Sequence, residues 1–211
     1  MTKRCCIVGT AESWRQTPWD DPGLTIISLN DAYQLPGFKR ADEWADLHPL
    51  DKFFHPPKDR QIMAHEIPAG HYLRPETHLD WLSKLQIPLW LAEAKPEWPH
   101  SKTFPWDDVF EWLGKAPDWD PYIMSTPALL LAQKILEGYS EIWITGIHLA
   151  TEWEYLKQRP NFEHIMGRFL GRGKLKIALK DGFRYYESAD GLLVFPMGSP
   201  VLTGDHVYAR E

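Results

Sequence analysis

The stretch STPALLLAQKILEGYSEIWITGIH, residues 125–148, contains the two patterns that decide the fold. In its first half, four small or apolar residues share one helical stripe: Ala128, Leu131, Ala132 and Ile135. This spacing predicts a helix over 127–137, which Gly138 is placed to end. In the second half, 141–145 is an apolar, β-branched run that stops at a glycine, as expected of a strand covered on both faces. A helix followed directly by a buried strand is part of a βαβ unit.

Similar patterns recur along the chain. Short apolar runs that predict strands occupy 5–8, 25–29, 43–47, 88–91 and 175–179. Two more helical patterns are Leu79, Leu82 and Leu85 behind Thr77, with Asp80 as capping partner, and Phe162, Ile165, Met166, Phe169 and Leu170 after Pro160. Strands alternating with helices predict an α/β fold with a doubly wound, mostly parallel, Rossmann-like sheet. With no repeat or linker, residues 1–211 are predicted to form a single domain.

Two segments depart from this alternation. Residues 94–122 hold several tryptophans among Pro and Asp with little clean periodicity, which favours a long irregular excursion serving as a lid or acceptor wall. The excursion's tryptophans are Trp98, Trp106, Trp112 and Trp119, whereas Trp44, Trp90 and Trp143 fall in predicted strands and are expected in the core. Residues 184–195 predict a C-terminal β-hairpin that turns at Asp190-Gly191.

Composition narrows the class of protein. The 211 residues carry 23 basic and 29 acidic side chains, a formal charge of −6, which disfavours a domain-wide grip on nucleic acid. The two cysteines, Cys5 and Cys6, are adjacent in an apolar run and are expected to be buried thiols rather than a disulfide framework. The N-terminus reaches polar residues too soon for a signal-peptide core, and no run approaches the roughly 18 apolar residues of a membrane helix. These features predict a cytoplasmic protein without a membrane partner.

Ligands of open α/β sheets bind where strands end and helices begin. After the first strand, Gly9, Thr10 and Ser13 form a short turn whose amides and hydroxyls suit a phosphate or nucleotide, although a tight βα turn explains them equally well. After the second strand, Asn30-Asp31 suits either a ribose or base or the cap of the next helix. Ser125 and Thr126 open the helix of the quoted stretch ahead of a proline, where capping accounts for one hydroxyl and leaves the other.

Histidines follow two of the predicted strands. His48 comes after the third strand, and His148 comes just after Gly146, positions suited to a general base or to an imidazole that binds phosphate. Gly146 is also a candidate for binding the donor, as are Tyr155 and Arg159 in a polar cluster further on, where Arg159 would pair with phosphate. Glu154, in the same cluster, is a candidate catalytic residue that would orient the arginine or else pair with Arg172 on the surface. The nine histidines and two cysteines show no zinc spacing, so no metal site is predicted.

The quoted stretch resembles the "small-Thr-small, helix, Gly-Tyr, Glu-Ile, strand, Gly-Ile-Asp" segment of a sialyltransferase-like group of proteins. That group includes bacterial sialyltransferases that use CMP-sialic acid and archaeal 6-hydroxymethylpterin pyrophosphokinase-like proteins. Residues 7–13 resemble a degenerate form of the group's Gly-x-Gly-Pro-Ser nucleotide turn. Leu29-Asn30-Asp31 matches the asparagine that the group carries after its second strand, and residues 154–163 resemble phage proteins of the same fold. Two departures stand out: Ala11 and Glu12 replace the second glycine and the proline of that turn, and His148 replaces an aspartate.

The resemblance implies a nucleotide-dependent transferase, foremost a glycosyltransferase with a nucleotide-sugar donor and no tightly bound cofactor. The strand-end residues and Ser125-Thr126 would hold the donor, and His48 or His148 would act on the acceptor hydroxyl or the leaving phosphate. If the protein is encoded by a phage, the acceptor would be a modified DNA base. The negative net charge of the chain argues against such an acceptor. The alternatives are an ATP-dependent pyrophosphokinase of pterin-like alcohols, with Asp31 and Asp46 as Mg²⁺ ligands, and a non-catalytic nucleotide-binding or interaction module.

Overall fold

The computed structural model describes residues 3–48, 75–114, 125–147, 161–162, 164–166, 174–179 and 182–186. The strands are β1 Arg4–Val8, β2 Thr25–Leu29, β3 Glu43–Asp46, β4 Leu89–Leu91, β5 Ser101–Thr103, β6 Glu141–Thr145, β7 Lys174–Leu179 and β8 Gly182–Tyr186. The helices are α1 Pro75–Ser83, α2 Trp106–Leu113 and α3 Thr126–Leu136, and two short 3₁₀ helices are Glu12–Gln16 and Ala32–Gln34. Residues 161–162 and 164–166 are also helical.

The strands form one sheet in the order β5-β4-β3-β2-β1-β6-β7-β8. Every pair is parallel except β7 with β8. From β1 the chain adds β2 to β5 on one side and then returns to place β6 on the other side of β1. The predicted mostly parallel α/β fold is therefore confirmed, and the point where the strand order reverses, at which such sheets place their ligands, lies between β1 and β6.

The core has two parts, one on each face of the sheet. On one face α2, α3 and the helical residues near 162 cover alternate strand residues, among them Ile7, Ile27 and Ile144. Helix α3 is buried on nearly all sides, so its residues are apolar beyond a single stripe. On the other face the 3₁₀ helices and α1 cover the intervening residues, with Trp44 fully buried. Both sheet faces are thus closed, which explains the continuous apolar runs of the sequence.

The predicted irregular excursion is wrong in part, because 94–122 contains both β5 and α2. The helix has its own periodic face: Trp106, Val109, Phe110 and Leu113. Of these, Val109 and Leu113 are buried, while Trp106, Phe110 and Trp112 pack against the core as partly buried side chains. Trp98 packs beneath α1 on the opposite face. These tryptophans therefore fill core space at the β4–β5 end of the sheet, and Trp119 lies outside the described residues.

The predicted C-terminal hairpin can be compared with the structure only in its first arm, because residues 187–195 lie outside the described part of the chain. Residues 184–186 do form part of a strand, but this strand, β8, pairs antiparallel with the preceding β7, in the register Ile177 with Arg184. The connection lies between Leu179 and Gly182, where the sequence carries a second Asp-Gly dipeptide, Asp181-Gly182. The predicted turn at 190–191 lies outside the described residues.

Other expectations can be compared directly. Helix α1 begins at Pro75, since proline favours the first helical turn. Thr77 therefore lies inside the helix and is not the predicted N-cap.

Cys5 and Cys6 are fully buried, as predicted. Burial raises the pKa of Cys6 to about 12 and that of Cys5 well above its usual value, so both remain protonated thiols. No helix among the described residues is long and apolar enough to cross a membrane.

Candidate functional site at the carboxyl edge of the sheet

The carboxyl ends of β1 and β6 approach each other through two glycines. A Cβ on Gly9 would lie 2.4 Å from the carbonyl oxygen of Gly146, and one on Gly146 would lie 2.2 Å from that of Gly9. Gly146 also adopts a φ of +66°, in the region that favours glycine. The Gly9 amide donates to the Thr145 carbonyl at 2.9 Å. Both glycines are needed for this backbone contact, whatever ligand the edge receives.

The turn after β1 is largely occupied by bonds to β6. The Ala11 amide donates to the Gly146 carbonyl at 2.9 Å, and the Gly146 amide donates to the Ser13 hydroxyl at 3.0 Å. Ser13 is buried, whereas Thr10 is exposed at the edge. The amides of Gly9 and Ala11 and the hydroxyl of Ser13 therefore have partners within the fold, whereas Thr10 presents an accessible hydroxyl at this predicted phosphate turn.

Asn30 follows β2 with a left-handed backbone, φ +47°. Its amide donates to the Ala45 carbonyl at 3.0 Å, and its carbonyl accepts from the Trp44 indole at 3.2 Å, so the backbone is held from β3. The side-chain oxygen Oδ1 is buried and has no hydrogen-bond partner among the described residues. Asp31 precedes the second 3₁₀ helix, and its carboxylate makes no capping bond. Neither the Asp31 carboxylate nor Oδ1 of Asn30 accepts a capping hydrogen bond, so capping of the 3₁₀ helix does not account for this pair.

Helix α3 aims its N-terminus at the same edge. Its other end lies at the amino edge, because Lys3 at the start of β1 donates to the Glu137 carbonyl at 2.8 Å and Lys134 donates to Glu43 at the start of β3. The Ser125 hydroxyl accepts from the Ala128 amide at 3.4 Å and caps the helix. Thr126 is the first helical residue, and both hydroxyl residues are 9% exposed. The positive end of the helix dipole thus faces the candidate ligand region.

His48 lies beside the buried carboxylate of Asp46, the residue that the pyrophosphokinase alternative assigned to Mg²⁺ binding. The Asp46 side chain is fully buried, and its two oxygens lie 2.9 Å from Nδ1 of His48 and 2.8 Å from Nε2 of His78. Burial raises the pKa of Asp46, but the hydrogen bonds and positive charges of the two imidazoles outweigh it, so the pKa lies below its usual value. Because both oxygens bind imidazoles, Asp46 is unsuited to the Mg²⁺ role of the pyrophosphokinase alternative.

His78, on α1, is the residue that the sequence interpretation missed. It precedes Leu82 by one helical turn and is 5% exposed, so it shares the buried face of the helix. That position was the available signal: a histidine on an apolar helical stripe needs a polar partner. Its ring stacks on Tyr33, with centroids 5.9 Å apart. Burial, followed by the charges of Asp31 and Asp46, raises the pKa of Tyr33 to about 12, so its hydroxyl stays protonated.

The candidate residues share one edge, in the order of their strands. Gly146 follows β6, Gly9 and Thr10 follow β1, Asn30 follows β2, and His48 follows β3. Since neighbouring strands are about 4.8 Å apart, His48 lies roughly 10 Å from the β1 turn. The candidates His148, Glu154, Tyr155 and Arg159 lie outside the described residues. Within the part of the chain that the structure describes, no cluster of three or more metal-ligating residues has the geometry to hold a metal.

No family model and no curated protein matches the sequence. Among solved structures, the chain is similar to the sialyltransferase CstII from Campylobacter jejuni, solved in complex with a substrate analogue, cytidine-5′-monophosphate. The match covers 92% of this chain and 95% of that chain, with a TM-score of 0.49 and 12% sequence identity. A likeness of this degree concerns the course of the backbone, so the chemistry of this chain rests on its own residues. The pterin pyrophosphokinase alternative and the phage origin stay predictions.

Proposed function

We propose that the protein is a nucleotide-dependent transferase that moves a glycosyl group from a nucleotide-sugar donor to an acceptor hydroxyl. The observation that carries the proposal is the buried, unpartnered Oδ1 of Asn30 at the sheet edge, among the described residues. A buried acceptor without a donor costs free energy, which a ligand N–H or O–H would offset. A ribose hydroxyl or the exocyclic amine of a base supplies such a donor.

Three other features of the same sheet edge would complete the donor site. The N-terminus of α3, with Ser125 and Thr126, offers the positive end of a helix dipole to a phosphate. Thr10 is exposed on the neighbouring β1 turn. His48, whose side chain is 49% exposed and whose Nδ1 lies 2.9 Å from Asp46, would take a proton from the acceptor. A base, a phosphate site and a nucleoside contact on one edge are what glycosyl transfer requires.

A nucleotide screen tests this proposal. We expect at least one of CMP, UDP, GDP and ATP, at 100 times its dissociation constant, to stabilise the protein by about 2.7 kcal/mol, or roughly 5–10 °C in a thermal-shift assay. A response to CMP, UDP or GDP supports a sugar donor. A response confined to ATP would favour the pyrophosphokinase alternative, and no response to any of the four would contradict both enzyme interpretations.

Asn30→Gly tests the nucleoside contact itself. Glycine accepts the positive φ of this position without strain, so the variant removes the buried amide while keeping the backbone. We expect unfolding free energy within about 1 kcal/mol of the parent, since an unsatisfied buried group is lost, and a nucleotide-induced shift reduced by at least half. Thermal unfolding with and without the nucleotide measures both quantities.

Ser28→Ala is the matched control. Ser28 lies on β2, and its hydroxyl is likewise buried without a partner among the described residues. Its neighbours in the sheet are Val8 and Trp44, both fully buried in the core. The nucleotide shift should survive this change. An undiminished shift in Asn30→Gly would contradict the role of Asn30.

A further inference from the structure

Asp46 joins two imidazoles that come from different parts of the chain. Its Oδ1 lies 2.9 Å from Nδ1 of His48 and 3.2 Å from the backbone nitrogen of the same residue. Its Oδ2 lies 2.8 Å from Nε2 of His78, on α1. A carboxylate buried to this degree is stable in its charged form because donors meet both of its oxygens.

The chain of contacts continues beyond His78. The Tyr33 hydroxyl lies 3.4 Å from Nδ1 of His78, and the Tyr33 ring stacks on Trp81 with centroids 4.0 Å apart. If His78 donates from Nε2 to Asp46, its Nδ1 is the acceptor for the protonated Tyr33 hydroxyl. The hydrogen bonds then point the same way, from Tyr33 through His78 to Asp46, while His48 donates to Asp46 from the other side.

We infer that Asp46 and His78 are positioning residues that hold His48 as the Nδ1–H tautomer, with Nε2 as the atom that accepts a proton. This inference rests on the proposed transferase function. His78 fixes the Oδ2 side of the carboxylate, so that Oδ1 stays directed at Nδ1 of His48. A carboxylate that holds an imidazole through Nδ1–H also stabilises the imidazolium formed when Nε2 gains a proton.

In the transfer step the acceptor hydroxyl gives its proton to Nε2 of His48. The electron pair of the acceptor oxygen forms the bond to the anomeric carbon of the sugar. The bond from that carbon to the donor phosphate oxygen breaks, and the nucleotide leaves with that electron pair. His48 becomes positively charged beside Asp46, and no other reactant is consumed.

Nitrogen NMR spectra of the imidazoles test the inference without substrate. In long-range proton–nitrogen spectra at pH 8–9, His48 should show a protonated Nδ1 and His78 a protonated Nε2, with assignments from His48→Gln and His78→Gln. In His78→Leu, which removes the donor to Oδ2, His48 should shift towards the Nε2–H form that histidine favours in water. His78→Gln keeps an amide donor and should retain the Nδ1–H signature. His48 in the Nε2–H form in the parent protein would overturn the inference.

Turnover supplies the second readout. With the nucleotide sugar whose nucleotide binds, release of nucleotide with water as acceptor should fall about 100-fold in kcat for Asp46→Asn and His78→Leu, with KM within about twofold. His78→Gln should recover most of the rate. His100→Gln, at a partly exposed histidine that contacts Gln86, is the control and should change neither the His48 and His78 signals nor the rate. An unchanged kcat in Asp46→Asn would overturn the positioning role.

The experiments distinguish a failure of the proposed function from a failure of the positioning inference. A flat nucleotide screen contradicts the proposed function, and the spectra still decide the imidazole arrangement. A bound and hydrolysed donor with His48 in the wrong tautomer contradicts this inference alone. If Asp46→Asn does not fold, the His78 pair and the parent spectra carry the test.

Discussion

Gly146→Ala should lower the free energy of unfolding by about 2–5 kcal/mol, a large part of the stability of an ordinary domain. Two independent costs combine at this position. Its φ of +66° is unfavourable for any residue with a Cβ, at roughly 1–2 kcal/mol. The new Cβ would also lie 2.2 Å from the carbonyl oxygen of Gly9, and overpacking of this kind costs about 1–3 kcal/mol. Because the obstruction is the backbone of Gly9, directly after β1, it cannot be relieved by a side chain moving aside.

Two other glycines separate these costs. Gly138 has a φ of +80°, and a Cβ at this position would have no atom within 4 Å, so Gly138→Ala measures backbone strain alone, about 1–2 kcal/mol. Gly9 needs no positive φ, but its Cβ would meet the Gly146 carbonyl oxygen at 2.4 Å, so Gly9→Ala measures the steric part. Urea unfolding of the three variants gives the comparison. If Gly146→Ala costs no more than Gly138→Ala, the close approach of β1 and β6 is not as described.

The strands could be predicted wherever the local pattern was sufficient. β2 and β6 are covered on both faces. Three of the five residues in each are apolar, enough for the run itself to mark the strand. β5 escaped prediction because it is a three-residue edge strand of Ser, Lys and Thr, which has no apolar signal. α2 was missed although its apolar face is regular, because surrounding Pro and Asp residues obscured the period.

The site residues that directly follow the carboxyl end of a strand could be predicted from the sequence. Asn30 and His48 were identified because carboxyl ends of parallel strands share an edge. His78 was not, since its partner Asp46 lies 32 residues away and the placement of α1 is a tertiary fact. Gly9 presented the opposite difficulty: the glycine was visible, but its contact with Gly146 depends on the pairing of β1 with β6, which no local pattern encodes.

Lys134→Met should lower the free energy of unfolding by about 3 kcal/mol, the lower end of the cost of removing one partner from a buried ion pair. The Lys134 side chain is fully buried, and its Nζ lies 2.6 Å from Glu43 and 2.9 Å from Glu137. Methionine keeps the volume of the stem, so the loss comes from two carboxylates left without their cation. Glu137 is 30% exposed and can regain water, which places the cost at the lower end.

Lys84→Met is the matched control, because Lys84, directly after α1, pairs with Asp80 of that helix, and both side chains are more than 60% exposed. An exposed pair of this kind is worth less than about 0.5 kcal/mol. Adding Glu43→Gln to Lys134→Met removes one orphaned charge while keeping an acceptor for the Trp90 indole, so the double variant should be more stable than Lys134→Met alone. Equal costs at Lys134 and Lys84 in urea unfolding would contradict this account. The pair matters beyond stability: by fixing the last turn of α3 to the amino end of β3, it sets where the first turn, with Ser125 and Thr126, meets the carboxyl edge.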